Sequence, residues 1–190
     1  MNSKKIQAVF IDRDGTIGGT GNFIHPKEFQ LYPFSATALN LLKLKGFKIF
    51  ALTNQHRISR NEAKLEEFTQ QFYEYGFDDA FICPHGENEN CNCRKPNGGL
   101  LIEAANKYKL DLEDCIVIGD VGSVDMVLAD KFKCVKILVK TGWGESSLNK
   151  YRSIWGNVEP DYIADNLLEA SKWIVENYES KFDSILQNSI

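Results

Sequence analysis

The chain has 190 residues, of which 43% are hydrophobic and 25% are charged, and its formal net charge is −4. This length accommodates one domain with a substantial core, or such a domain with a small insertion. The acidic balance offers no general basic surface for nucleic acid, and no apolar stretch is long enough to span a membrane. The N-terminus lacks the apolar segment of a signal peptide, so we expect a cytoplasmic protein with neither a membrane nor a nucleic-acid partner.

Strand-like and helix-like segments alternate along the chain. The pattern predicts strands at 8–11, 48–52, 80–83, 115–118, 135–139 and 161–164, and helices at 35–45, 60–75, 99–108 and 167–178. Such alternation is typical of an α/β fold, in which helices cover both faces of a parallel sheet. Segment 18–33 is too short for a folded cap. We therefore expect one domain over residues 1–190, with a site that is open or bordered only by loops.

Two aspartates leave the first predicted strand in the run Phe10-Ile11-Asp12-Arg13-Asp14-Gly15-Thr16. Parallel α/β sheets present their chemistry at such strand exits. Asp12 and Asp14 point to the same side of an extended chain, which is unfavourable unless a cation separates them or one is protonated. A divalent metal prefers oxygen ligands, and a carboxylate can act as a nucleophile. The alternative is a surface turn rich in Asp and Gly.

Three further polar groups follow later predicted strands. The hydroxyl of Thr53 can bind a phosphate oxygen or cap a turn. Lys95 precedes a helix and can neutralise the charge of a phosphate and of a nucleophile. Asp120, with Asp125 beyond it, is placed to complete a metal site with Asp12. Each residue alone is uninformative, but their joint order, each at a strand exit, points to a phosphoryl-transfer site.

A second cluster consists of soft metal ligands in segment 83–93. Three thiols and one imidazole match a closed tetrahedral zinc site. The residues between them are polar and cannot form a core, so something must order the loop; free thiols beside a chance histidine are the alternative. With no coordination position left open, we expect a structural zinc. The predicted ligands are Cys83, His85, Cys91 and Cys93.

In this order, the motifs resemble those of the haloacid dehalogenase superfamily of phosphohydrolases. The resemblance covers almost the whole chain. Within the superfamily, the chain is similar to the small, capless histidinol-phosphate and heptose-bisphosphate phosphatases of subfamily IIIA, whose zinc loop also leads into Arg-Lys-Pro. The resemblance implies a three-layer, Rossmann-like α/β fold. The motifs that carry it are Asp12-Arg13-Asp14-Gly15-Thr16, Thr53-Asn54-Gln55, Lys95 and Gly119-Asp120 to Asp125.

The resemblance implies a catalytic role for four residues. Asp12 is the expected nucleophile, which forms an aspartyl-phosphate. Asp14 is expected to protonate the leaving oxygen and then to activate water. Thr53 and Lys95 are expected to bind the transferring phosphoryl group.

The resemblance also implies two metals. Mg²⁺ would be held by Asp12, the backbone carbonyl of Asp14 and Asp120, with Asp125 as part of the same metal site, where it orients the ligands. The zinc would be structural, and its expected task is to hold the loop that carries the phosphate-binding lysine over the active site.

Substrate contacts are expected from Arg94, Asn54 and Gln55. Arg94 offers a planar fork for a second anionic or hydroxyl-rich part of the substrate. Relatives usually have Ser-Gly after Thr-Asn-Gln, where this chain has His56-Arg57. His56 is either a substrate contact or a loop residue.

Two other features bear on the pocket. The second acidic motif spaces Asp120 and Asp125 by five positions, where close relatives commonly use four, and Val121 stands where they often carry a polar residue. Trp143 either lines the pocket or packs against the fold.

The expected function is a magnesium-dependent phosphomonoester hydrolase for a small phosphorylated metabolite. A sugar bisphosphate such as heptose 1,7-bisphosphate is favoured. The alternatives are a histidinol-phosphate phosphatase, a phosphatase of DNA 3′ ends, which should carry a basic groove, and a zinc-stabilised binding module with a decayed catalytic centre. The oligomeric state is left open.

Overall fold

The computed structural model of the protein describes residues 4–181, and a parallel six-stranded sheet lies at its centre. The strands are β1 (Lys5–Ile6), β2 (Ala8–Ile11), β3 (Ile49–Asn54), β4 (Asp79–Cys83), β5 (Cys115–Gly119), β6 (Val135–Val139), β7 (Tyr162–Ala164) and β8 (Glu179–Ser180). The α-helices are α1 (Ser35–Leu44), α2 (Leu65–Glu74), α3 (Gly99–Tyr108), α4 (Val127–Lys131), α5 (Gly144–Leu148) and α6 (Leu167–Asn177). A π-helix (Gly122–Met126) leads directly into α4.

The order of the strands brings the ends of β2, β3 and β5 together. The sheet runs β4-β3-β2-β5-β6-β7, and β1 pairs with β8 in a separate ladder of two strands. Strand β2 pairs on one side with β3 and on the other with β5, so Ile11 lies opposite both Ala51 and Ile118. The chain reverses its direction of winding at β2. Such switch points are where open α/β sheets bind ligands.

Side chains of successive residues of β2 point into two separate cores, one on each face of the sheet. Val9 and Ile11 face one side of the sheet, where they pack with residues of α1, α2 and α6. Ala8 and Phe10 face the other side, where they pack with residues of α3 and α4. Because both faces are covered, the central strand β2 is apolar at every position, as is usual for parallel sheets. The predicted three-layer α/β fold is confirmed.

Most predicted elements agree with the structure to within one or two residues, but the second helix is an exception. It was predicted to begin at residue 60, whereas α2 begins at Leu65. Residues 56–61 form turns, and Asn61 has a φ of 56°, in the left-handed region that an α-helix cannot contain. Strand β3 also runs two residues further than predicted, so Thr53 lies within the strand.

The long connection between β2 and α1 forms part of the border of the site. It contains one short 3₁₀-helix, Pro26–Glu28, at whose start Nδ1 of His25 accepts a hydrogen bond from the Lys27 N–H at 3.3 Å. The hydroxyl of Tyr32 donates to the Gly19 carbonyl at 2.7 Å and thereby joins the end of this connection to its beginning. Within residues 4–181, no helix is both long and apolar enough to cross a membrane.

Phe50 provides a test of the core. Its buried ring lies 4.6 Å from the ring of Tyr108 and 5.5 Å from that of Phe10, measured between centroids. We expect Phe50→Ala to lower the free energy of unfolding by about 3–5 kcal/mol, because it leaves a cavity between packed rings. The control Leu44→Ala removes a side chain that is 84% exposed. Urea denaturation measures both, and equal midpoints for the two variants would contradict this packing.

Candidate active site

A buried ammonium group lies at the centre of the site. Lys95 Nζ donates to Asp12 Oδ1 at 2.7 Å, to Asp125 Oδ1 at 2.6 Å and to the Leu52 carbonyl at 2.7 Å. Asp12 follows β2, Leu52 belongs to β3 and Asp125 belongs to the π-helix after β5. One side chain therefore joins the ends of three neighbouring strands.

The charges of this group depend on one another. Burial alone would lower the pKa of Lys95, but the Asp12 and Asp125 carboxylates outweigh it and raise that pKa above its usual value. The ammonium is therefore retained at neutral pH. Burial raises the pKa of Asp125 to about 6, although Lys95 acts in the opposite direction.

Three carboxylates converge beside the lysine. Asp12, Asp120 and Asp125 each place an oxygen within 4.8 Å of the others. Burial, followed by the charges of Asp12 and Asp125, raises the pKa of Asp120 well above its usual value. Oδ2 of Asp120 accepts from the Trp143 backbone N–H at 2.7 Å, whereas its buried Oδ1 has no hydrogen-bond partner in the described part of the chain. An orphaned oxygen in a set of hard ligands fits a divalent cation such as Mg²⁺.

A glycine permits the close approach that this arrangement needs. Gly15 has a φ of 88°, and a Cβ built on it would lie 2.1 Å from Asp120 Oδ2 and 3.0 Å from the Gly142 Cα. A side chain at position 15 would displace the carboxylate. Gly15 thus has two roles: it adopts the left-handed conformation of the turn, and it leaves room for the Asp120 carboxylate.

Asp14 is held on both oxygens. Arg13 NH1 donates to Oδ1 at 2.6 Å, and Gln55 Nε2 donates to Oδ2 at 2.6 Å. The same Gln55 nitrogen donates to Thr53 Oγ1 at 3.0 Å. Burial raises the pKa of Asp14 to about 6, against the lowering effect of the Arg13 charge.

Arg13 has a role that the sequence did not reveal. Its guanidinium is completely buried, donates through Nε to Gln71 Oε1 at 3.0 Å and lies 3.7 Å from the ring centroid of Phe29. Burial lowers the pKa of Arg13, and the Asp14 charge opposes that change. Its place inside the motif was the available signal, but charged residues are rarely buried, and the sequence does not show which aromatic rings will enclose one.

Thr53, Asn54 and Gln55 line the same pocket as Asp12 and Asp14. Thr53 is almost fully buried. The side chain of Asn54 makes two hydrogen bonds to the backbone of Lys95, one accepted from its N–H at 2.9 Å and one donated to its carbonyl at 3.0 Å. Asn54 therefore fastens the loop of Lys95 to the end of β3.

The four soft ligands also converge. Cys83 Sγ lies 3.6 Å from Cys91 Sγ and 3.3 Å from Cys93 Sγ, and His85 Nδ1 lies 3.1 Å from Cys93 Sγ. Zn–S bonds of about 2.3 Å at tetrahedral angles place two sulfurs about 3.8 Å apart. The cluster thus has nearly the dimensions that a tetrahedral zinc needs, and its ligand atoms are those predicted from the sequence.

This cluster adjoins Arg94. The Arg94 backbone N–H donates to Cys91 Sγ at 3.3 Å; although burial acts in the other direction, this contact and the neighbouring thiols lower the pKa of Cys91 to about 7. The Arg94 guanidinium donates to the His85 carbonyl at 3.3 Å and to Glu87 Oε1 at 3.1 Å. The loop thereby fixes both the backbone and the side chain of Arg94.

A pocket of about 520 Å³ opens above these groups. Its lining includes Arg94, His56 and Trp143. Five apolar or aromatic side chains, Trp143 among them, line it as well, and the sequence did not predict most of them, because four lie between β6 and β7, a segment with little periodicity. We refer to these five residues as the apolar wall; they are Val124, Trp143, Tyr151, Ile154 and Trp155.

The comparisons with known proteins agree with this geometry. Residues 20–127 match the family model of the haloacid dehalogenase-like hydrolases, and residues 92–170 match a model described as HAD-hydrolase-like. The probable D-glycero-D-manno-heptose-1,7-bisphosphate 7-phosphatase of Thermoplasma volcanium is 35% identical over 67% of this chain and 94% of its own. The D-glycero-beta-D-manno-heptose-1,7-bisphosphate 7-phosphatase of Pasteurella multocida is 30% identical over 88% and 96%.

A solved structure is also similar to this chain. It is that of D,D-heptose 1,7-bisphosphate phosphatase from B. bronchiseptica complexed with magnesium and phosphate, with a TM-score of 0.77 and 25% identity. The match covers 90% of this chain and 99% of the other.

Replacement of Arg13 tests its contact with Asp14. We expect Arg13→Met to lower the free energy of unfolding by about 3 kcal/mol, because it leaves a buried carboxylate without its partner. Arg60→Met, at an exposed arginine, is the control and is expected to change stability by about 0.5 kcal/mol or less. Chemical denaturation gives both values. An Arg13→Met protein as stable as the control would show that the ion pair has no such role.

Proposed function

The chain belongs to the haloacid dehalogenase-like hydrolases, and from that premise we propose that it is a magnesium-dependent phosphatase of a small phosphorylated sugar, with a sugar bisphosphate preferred. The observation that carries the proposal is the contact of Lys95 with Asp12 beside the orphaned oxygen of Asp120. Together these residues offer a nucleophile (Asp12), a fixed positive charge (Lys95) and a carboxylate oxygen that is free to bind a metal ion (Asp120), all at the same edge of the sheet. In this proposal residues 1–190 act as one hydrolase domain.

Asp12 is the proposed nucleophile. Its carboxylate forms a bond to phosphorus while the bond from phosphorus to the ester oxygen breaks, which produces an aspartyl-phosphate. The transferring group carries spread negative charge, which the Lys95 ammonium and the Thr53 hydroxyl stabilise. Mg²⁺ bound by Asp12, the backbone carbonyl of Asp14 and Asp120 would supply further positive charge. Lys95 occupies one Asp125 oxygen, so we assign Asp125 to orientation of this set.

Asp14 is the proposed acid and base. It gives a proton to the leaving oxygen in the first step and takes one from the attacking water in the second, when the bond from Asp12 to phosphorus breaks and phosphate is released. Gln55 and Arg13 hold both of its oxygens, so its direction is set before substrate arrives. This role is separate from that of Asp12, which faces Lys95.

The size and surface of the pocket support a sugar substrate. A volume of about 520 Å³ exceeds what a phosphate needs and leaves room for a leaving group. The apolar wall suits the C–H face of a sugar ring, while Asn54, Gln55 and Arg94, which line the same pocket, supply polar contacts. Relatives that match most of their own length are named heptose-1,7-bisphosphate 7-phosphatases, which supports a bisphosphate of this kind.

We also propose one structural zinc at Cys83, His85, Cys91 and Cys93. All four ligand positions are then filled by protein, so the ion has no open position for chemistry. Its effect reaches the active site through the Cys91 contact to the Arg94 backbone and through the next residue, Lys95. Loss of the metal would release both basic residues at once.

Aspartate-to-asparagine variants test the catalytic assignment. We expect Asp12→Asn to lower kcat at least about 1,000-fold, because an amide is not a nucleophile here, and Asp14→Asn to be severely impaired as well, because it cannot exchange the proton. Asp130→Asn, at a surface carboxylate 3.7 Å from Lys136, is the matched control. Phosphate release from sugar phosphates, sugar bisphosphates, histidinol phosphate and 3′-phosphorylated DNA is measured with Mg²⁺ and with excess EDTA.

Four results would contradict the proposal. Near-normal turnover of Asp12→Asn would show that Asp12 is not the nucleophile, and full activity in EDTA would show that the reaction needs no divalent metal. A preference for 3′-phosphorylated DNA over every sugar ester would replace the substrate class. Absence of phosphate release from the whole panel would favour a binding module instead.

Metal analysis tests the zinc site. We expect about one equivalent of zinc per chain in protein purified without chelator, and loss of that zinc in Cys91→Ser, because ligand removal opens a closed site. Cys115→Ala, at a buried cysteine at the start of β5, should keep the zinc and serves as the control. Zinc-free wild-type protein with an ordered Arg94 loop would contradict the assignment.

A further inference from the structure

His56 presents an imidazole ring to the pocket without a hydrogen-bond partner on either ring nitrogen among residues 4–181. Its backbone is fixed, because the Ser59 hydroxyl donates to the His56 carbonyl at 2.9 Å. Its ring meets the edge of the Phe23 ring, with centroids 6.3 Å apart. The side chain is thus held by packing while its polar atoms remain available to a ligand.

The surroundings of His56 are strongly cationic. The charges of Arg57, Arg60 and Arg94 act on it, and Glu87 is the one carboxylate that opposes them among its main influences. Burial, followed by these three arginines, lowers the pKa of His56. The ring is therefore neutral near pH 7 and donates one hydrogen bond from N–H, while the arginines supply the charge. Two of them have partners already, since Arg57 contacts Glu62 and Arg94 contacts Glu87.

The position of His56 relates it to one part of the substrate. It follows Gln55, whose amide lies 2.6 Å from Asp14 Oδ2. Asp14 is the group assigned to the leaving oxygen. His56 and Arg94 line the same pocket as Asp14, so the pocket that receives the leaving portion of a substrate contains both side chains.

We propose that His56 is a specificity-determining residue that, together with Arg94, binds a second phosphate carried by the leaving portion of the substrate. This inference rests on the proposed phosphatase function. The ring N–H of His56 supplies one hydrogen-bond donor, and the guanidinium of Arg94 supplies a pair of parallel N–H donors. The two residues together thus contact two sides of a phosphate. A substrate without the second phosphate lacks both contacts.

The test compares two substrates that differ only in that group, heptose 1,7-bisphosphate and heptose 7-phosphate. We expect His56→Ala to lower the ratio of their kcat/KM values at least about tenfold, through KM of the bisphosphate, while kcat for the monophosphate is retained. His56→Gln keeps an N–H donor and should recover part of the ratio. His25→Ala, at a histidine that contacts Glu67 rather than the pocket, should leave it unchanged.

A double variant shows whether the two residues act on one group. Arg94→Ala with His56→Ala should lower the ratio by less than the product of the single effects, because both contact the same phosphate. Multiplicative effects would assign them to separate groups and overturn the shared site. Equal effects of His56→Ala on both substrates, or none, would overturn the role of His56. Failure of the wild type to hydrolyse either ester, or any other sugar phosphate, would instead overturn the proposed function.

Discussion

A buried positive charge organises the site. An ammonium removed from water is unfavourable unless carboxylates and a carbonyl replace its hydration, and Lys95 has all three around it. Asp12 and Asp125, in turn, are buried carboxylates that need this cation. The groups stabilise one another only when β2, β3 and the turn after β5 are in register. Order at the site is therefore inseparable from order in the sheet.

Two supports bring Lys95 to this position. Asn54 fastens its backbone to the end of β3 with a pair of hydrogen bonds. On the other side, the cluster of soft ligands that begins at Cys83 holds the residue just before it. A loop without apolar residues of its own is thus fixed from both sides. Lys95 is held in one position although the residues that lead to it are polar, which is the arrangement a preorganised site requires.

The sequence predicted the parts of this site that follow from strand exits and ligand spacing. Asp12 and Asp120 lie together because β2 and β5 are neighbours in the sheet. Periodicity located these strand exits, and the joint order of the motifs, with the resemblance it carries, indicated that Lys95 would join them. Periodicity was not sufficient for contacts that depend on three-dimensional enclosure. Burial of Arg13 requires Phe29, from a loop whose path no pattern specifies. The start of α2 was wrong because Asn61 adopts a left-handed conformation that asparagine tolerates but does not require. Most of the apolar wall comes from the segment between β6 and β7, in which apolar residues do not recur at regular spacing.

The π-helix at Gly122–Met126 explains how the spacing of the second acidic motif is accommodated. Its defining hydrogen bond runs from the Val127 N–H to the Gly122 carbonyl, one residue further along the chain than in an α-helix. A wider turn absorbs one additional residue locally, so Asp125 still meets Lys95 although it follows Asp120 by five positions. An insertion in a lineage could thus enter this turn without disturbing the residues on either side. Alignments that place a gap elsewhere would pair Asp125 with the wrong residue of a relative, and the geometry of the turn shows where the gap belongs.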